Sequence, residues 1–236
     1  MQYILTAKHV LSPSKIFPPP NYYDALYIRL NRIGGIAERI GYPLSFAPEY
    51  ILTHDDENVD LAAMLLNPPP DRYDYLYIPE VPYFTDSDIL QKKNIREGSD
   101  VFFAGLFSKF ATKETNYPVV RFGKIALMTN EKIEINKEGE PKRQAHFYVV
   151  ECQSLGGFSG SPVFFEFQRI TPTQNFITPE IYLGGVMKGH YNDLLEIPNV
   201  IVRELNAGLA LVTPCYLLRE LLYTTKAKEQ RRRIIT

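Results

Sequence analysis

Apolar residues recur with a period of two through most of this chain, in runs too short for anything but strands, and a proline or glycine stands between one run and the next. Tyr3–Thr6, Ala25–Leu30, Leu61–Leu66, Val101–Phe107, Val119–Met128, Ala145–Cys152, Pro162–Phe167, Glu180–Met187 and Gly208–Val212 all read as strands. Two triple prolines, Pro18–Pro20 and Pro68–Pro70, exclude a central strand where they stand, and "KEGE" at Lys137–Glu140 reads as a polar hairpin tip. Ile36–Ile40 has the spacing of a helical turn. The one full helix is expected at the end, where Thr213 can cap, Pro214 takes the first helical position, and Leu217, Leu218, Leu221 and Leu222 form an apolar face. The expected fold is therefore all-β with a C-terminal helix. Strands cluster before about residue 70 and again after about residue 97, which suggests two β units without an internal repeat.

The 236 residues, 45% of them hydrophobic, can fill a real core. Twenty-six basic residues stand against 27 acidic ones, a net charge of -1, so no general attraction to nucleic acid or acidic lipid is expected. The cluster "KAKEQRRR", Lys226–Arg233, reads as a solvated tail at the end of a helix. Cys152 and Cys215 are too few for a disulfide framework and lack zinc-site spacing, so two buried free thiols are expected. The absence of such a framework favours the cytoplasm. No apolar run approaches the about 20 residues of a membrane helix, and Met1 does not open a signal peptide, so the chain as given reads as soluble. His54 stands beside Asp55 and Asp56 with no second histidine or cysteine at ligand spacing, which reads as an acidic loop rather than a metal site.

Three short stretches carry chemistry. "GGFSGSPVF", Gly156–Phe164, sets Ser159 between glycines before an apolar run, and alone is either a nucleophile turn or a glycine-rich hairpin. "YILTAKHV", Tyr3–Val10, leads a strand into His9, and "NVDLAAMLL", Asn58–Leu66, places Asp60 before another. A hydroxyl to attack, an imidazole to carry its proton and a carboxylate to hold that imidazole are what nucleophilic hydrolysis of an amide requires.

"TAKH", "VDLAAM" and "GFSGSP" resemble the histidine, aspartate and serine motifs of trypsin-like serine peptidases of the chymotrypsin fold, most closely the bacterial type without disulfides. The resemblance extends to "EGSDVFFAGLF" (Glu97–Phe107), "YLGGVMKGHY" (Tyr182–Tyr191) and "NAGLALVTP" (Asn206–Pro214), six motifs in the family's order. It implies a two-barrel fold with residues 1–95 as a first barrel carrying His9 and Asp60, and 96–236 as a second carrying Ser159. It implies Ser159 as nucleophile, His9 as general acid and base, Asp60 as the orienting carboxylate, and the Gly157 and Ser159 N–H groups as an oxyanion hole. Gln153, Lys188, Gly189 and Gly208 fall where the family binds substrate.

With Gln153 at the base of the specificity pocket, a preference for Arg or Lys is not supported. The implied activity is that of a serine endopeptidase acting on protein or peptide, with no cofactor, no nucleic acid and no membrane partner. The alternative is an inactive relative that binds an extended peptide along the same edge. Phe158 stands where digestive members carry the aspartate used in zymogen activation, so control would lie elsewhere, in a regulatory domain or partner. Only eight residues precede His9, where the family places further strands. The chain as given is thus expected either to be a fragment or to complete its first barrel differently, and otherwise to leave a sheet edge open.

Overall fold

A computed structural model describes residues 1–14, 21–44, 50–106, 112–135, 142–153, 156–170, 177–197 and 200–235. Expectations at Pro18–Pro20, Phe107 and Lys137–Glu140 fall outside them. The N-terminal half contains β1 (Tyr3–Thr6), β2 (Ala25–Arg32), β3 (Glu38–Pro43), β4 (Ile51–Thr53), β5 (Ala62–Leu65) and β6 (Tyr73–Asp74), followed by the short helices α1 (Glu80–Tyr83) and α2 (Ser87–Lys92). Next come β7 (Asp100–Gly105), β8 (Val119–Leu127), β9 (Ile133–Ile135), β10 (Arg143–Ala145), β11 (Tyr148–Glu151), β12 (Pro162–Ile170), β13 (Ile177–Ile197) and β14 (Val200–Pro214), and then helices α3 (Cys215–Tyr223) and α4 (Thr225–Ile235).

The molecule is mostly β, and its second half is a closed barrel of six strands in the order β11-β14-β13-β12-β7-β8. Alternation accounts for the closure. Val101 and Phe103 of β7, Tyr148 and Val150 of β11, Val163 and Phe165 of β12, and Ala210 and Val212 of β14 are two apart on their strands and meet in one interior cluster. The register sets Phe103 opposite Val163 and Val101 opposite Phe165, so large and small side chains interleave.

In the first half, β5 lies between β1 and β4, while β2 lies between β3 and β6. These are two three-stranded sheets, and no closure of a first barrel occurs among the described residues. β1 has β5 as its single partner strand there. Beside it lies an apolar cavity of about 770 Å³ whose walls include Ile4, Leu5, Leu30, Ile78 and Leu183. Leu76 on its rim is 98% exposed.

Three expectations need correction. Ile36–Ile40 is not a helical turn: Gly34, at φ +63°, turns the chain after β2, and Ile40 pairs with Ile28 across a hairpin. Thr213 does not cap the terminal helix but pairs with Val186 inside the sheet. Pro214 holds the cap position with extended angles, and the helix starts at Cys215. The basic tail is solvated at Lys226, Lys228, Arg232 and Arg233, as expected, but it is not a free end. It forms α4, in which Ala227 and Gln230, one turn apart, are buried, Lys226 donates to the Ile51 carbonyl at 2.9 Å and Gln230 donates to the Tyr50 carbonyl at 3.0 Å. A run of cations conceals that inward-facing pair. α3 and α4 thereby join a core that mixes both halves, with Leu52, Val59 and Leu61 against Leu183, Leu218 and Leu221.

Both cysteines are buried free thiols. Burial pushes Cys152 up to about 11 and Cys215 up to about 12. Neither is therefore expected to react with Ellman's reagent at pH 8 in the folded chain, and both should react once it is unfolded in guanidinium; fast native labelling would contradict this packing.

Candidate active site

Thr6 is the last residue of β1, and Ala7, still extended, starts a 3-10 turn over Lys8–Leu11 that carries His9. Because β1 pairs antiparallel with β5 and Thr6 stands opposite Ala62, the residues after β1 meet those before β5. Asp60 is two residues ahead of that partner. Its carboxylate takes two bonds from one residue: the His9 backbone N–H donates to Oδ1 at 3.0 Å, and His9 Nδ1 donates to Oδ2 at 2.7 Å. The Asp60 side chain is 1% exposed and the imidazole 35%, so the carboxylate is shut away while the ring keeps an open face. Burial acts to raise the Asp60 carboxyl, but the His9 ring bond, the imidazole charge, the Lys188 ammonium and the His9 N–H together hold it below the ordinary carboxylate range.

The loop delivering Asp60 is tied down along its length. The Asp56 N–H donates to His54 Nδ1 at 3.0 Å, the Asn58 N–H to Asp56 Oδ1 at 2.9 Å, and the Val59 N–H to the Asp56 carbonyl at 3.0 Å. Lys132, between β8 and β9, pairs with Asp56 at 2.9 Å, and His54 Nε2 lies 3.2 Å from Glu220 of α3. The acidic loop is thus a structural strap; no cluster of metal-ligating side chains occurs among the described residues.

Ser159 lies on the turn between Cys152 and β12. Phe158 plugs this turn into the barrel, 2% exposed and edge-on to Phe103 with ring centres 5.3 Å apart. The Gly160 N–H donates to the Met187 carbonyl, and the Met187 N–H to the Ser161 carbonyl, both at 2.8 Å, which fixes the turn to β13. Gly157 has φ +108°, a value reserved for glycine, and neither its N–H nor that of Ser159 donates to an acceptor among the described residues. The Ser159 hydroxyl donates to the Lys188 carbonyl at 3.1 Å rather than to the imidazole.

The two halves touch at Gly160. A Cβ there would lie 2.5 Å from Thr6 Oγ1 and 3.3 Å from the Ala7 nitrogen, so only a glycine lets the serine turn sit against the end of β1. Lys188 makes a second link, its carbonyl on Ser159 and its ammonium facing Asp60. Gly189 is also local, with its Cβ position 4.0 Å from Ser159 Oγ. Gln153 and Gly208 occur together on the wall of a cavity of about 330 Å³ shared with Lys124 and Glu151.

Sequence reasoning named His9, Asp60 and Ser159 but passed over Lys8, Thr6, Phe158's anchoring contact and Lys132. Lys8 and Thr6 lie inside a motif already quoted, yet nothing in their spelling marks a buried lysine or a threonine packed on a glycine.

No family model matches the chain, and no curated protein matches it. Five chains of solved structures do. One is the inactive form of a serine-to-alanine mutant of Rv3671c from M. tuberculosis H37Rv, with a TM-score of 0.41 and 14% identity over 94% of this chain and 76% of that one. A likeness of that size assigns neither residues nor activity.

Proposed function

We propose that the protein is a serine endopeptidase in which residues 1–95 contribute His9 and Asp60 and residues 96–236 contribute Ser159. The observation that carries this reading is the His9–Asp60 pair, gripped at both the backbone N–H and Nδ1, on a segment that packs against the serine turn. With Nδ1–H committed to Asp60, Nε2 is left as the acceptor a general base needs. In this reading the Ser159 hydroxyl leaves the Lys188 carbonyl for Nε2 when substrate binds. The hydroxyl oxygen then attacks the scissile carbonyl as its proton passes to the imidazole, the tetrahedral oxyanion accepts from Gly157 and Ser159 N–H, and the proton goes on to the departing amine. Water repeats the sequence on the acyl-enzyme, releasing the carboxylic acid and restoring the serine.

A peptide has a place to lie. β12 ceases to pair with β13 at Pro162–Val186, so from Gly189 onward β13 has no strand on that side among the described residues, which suits strand addition. Gln153, Lys188, Gly189 and Gly208 are the proposed substrate contacts, with a neutral rather than acidic side chain at Gln153.

The hydroxyl's bond to Lys188 favours a second reading, an inactive domain that holds an extended peptide. Labelling with a fluorophosphonate separates the two. The folded protein is expected to take up one probe and Ser159→Ala none; a folded, unlabelled wild-type chain would support the binding domain instead.

A further inference from the structure

Lys8 is 4% exposed, a rare state for an ammonium, and its Nζ donates to the Glu57 carbonyl at 2.9 Å. It is adjacent to His9, and the carbonyl it holds belongs to the loop that delivers Asp60. Three attachments therefore join the 3-10 turn to that loop: the Lys8 bond and the two bonds of His9. We propose that Lys8 is a positioning residue for the His9–Asp60 pair, its ammonium pinning the Glu57 carbonyl and adding positive charge beside the buried carboxylate.

The charges around Lys8 support a role beyond a loop staple. Asp60, Glu57 and Asp56 face it with decreasing influence, and they oppose the desolvation that lowers its own pKa. Lys132 occupies Asp56 from the second half of the chain, while Lys188 of β13 and the phenol of Tyr22 face Asp60 from the other elements. Removing Lys8 takes a cation from beside Asp60, whose side chain is 1% exposed, where an uncompensated charge is costly.

The activity arm of the test rests on the hydrolase reading; the spectroscopic arm does not. The Nδ1–H proton of a carboxylate-bound imidazole resonates far downfield, and here it is identified by its loss in Asp60→Asn. Lys8→Gln keeps a donor for Glu57 but no charge, Lys8→Met keeps neither, and Lys8→Arg keeps both. The resonance is expected to move upfield or broaden in the glutamine and methionine variants and to persist in the arginine variant. Fluorophosphonate labelling should slow about tenfold in the first two, below the 10²-fold that displacement of a reacting group can cost. Should Lys8→Met fail to fold, the glutamine and arginine variants decide. A glutamine variant with unchanged resonance and rate overturns the proposal, because the hydrogen bond alone would then suffice. Absence of labelling in the unsubstituted protein would end the hydrolase reading and leave the resonance test standing.

Discussion

Asp60→Asn is expected to slow fluorophosphonate labelling of Ser159 by about 10⁴-fold with the fold unchanged. The reason is tautomeric. In the structure the carboxylate oxygens accept from both the His9 backbone N–H and Nδ1. An asparagine oxygen can still take the backbone N–H, but its amide then offers a donor to Nδ1, which must become the acceptor. The ring proton moves to Nε2, and the base is lost where Ser159 needs it. Circular dichroism and a denaturation curve check that the variant is folded; a loss of less than tenfold would show that His9 does not depend on Asp60 for catalysis. Stability carries a matching sign. Since folding holds the Asp60 carboxyl low, its contribution is present above the unfolded value of about 3.9 and is lost as pH falls through the folded one. The asparagine variant should lack that part of the acid-side loss.

Gly160→Ala is the second large effect. Gly160 has φ +87°, and an added Cβ would meet Thr6 Oγ1 at 2.5 Å and backbone atoms of Thr6 and Ala7 at 3.3 Å. The threonine hydroxyl can rotate away, but the backbone must retreat, and with it the segment that carries His9. Backbone strain and overpacking together are expected to cost about 2–4 kcal/mol. Labelling should fall about 10²-fold, since the nucleophile and its base would be moved apart. Gly98→Ala provides the reference. It has nearly the same φ, +85°, with nothing within 4 Å of the added carbon, so it bears the backbone strain alone, about 1–2 kcal/mol, and should leave labelling unchanged. Equal losses of stability and activity in the two variants would show that the Gly160 contact does not seat the site.

Some of this architecture is legible in the sequence. The alternation of Val101 with Phe103 and of Val163 with Phe165 identifies strands with one buried face, and the leucines of α3 identify its inner side. Among the strands that the sequence does not mark, β4 and β9 have three residues each and β6 has two, too short to show a period. Their existence is a consequence of neighbours, because a strand that brief persists only where a longer one supplies the ladder. α4 escaped for a different reason, since its basic residues dominate the composition while the buried face consists of Ala227 and Gln230.

The same division runs through the site. Local order along the chain determined that a histidine, an aspartate and a serine each stand at the edge of a strand, and that glycines flank the serine. Tertiary structure alone decided that His9 and Asp60 share two bonds, that the Ser159 hydroxyl rests on Lys188, and that Lys8 lies inside the protein beside them. Turn chemistry and periodicity act over a few neighbouring residues and are therefore written in the sequence. Burial and the balance of charge depend on every segment that folds over a residue, including ones more than a hundred positions away.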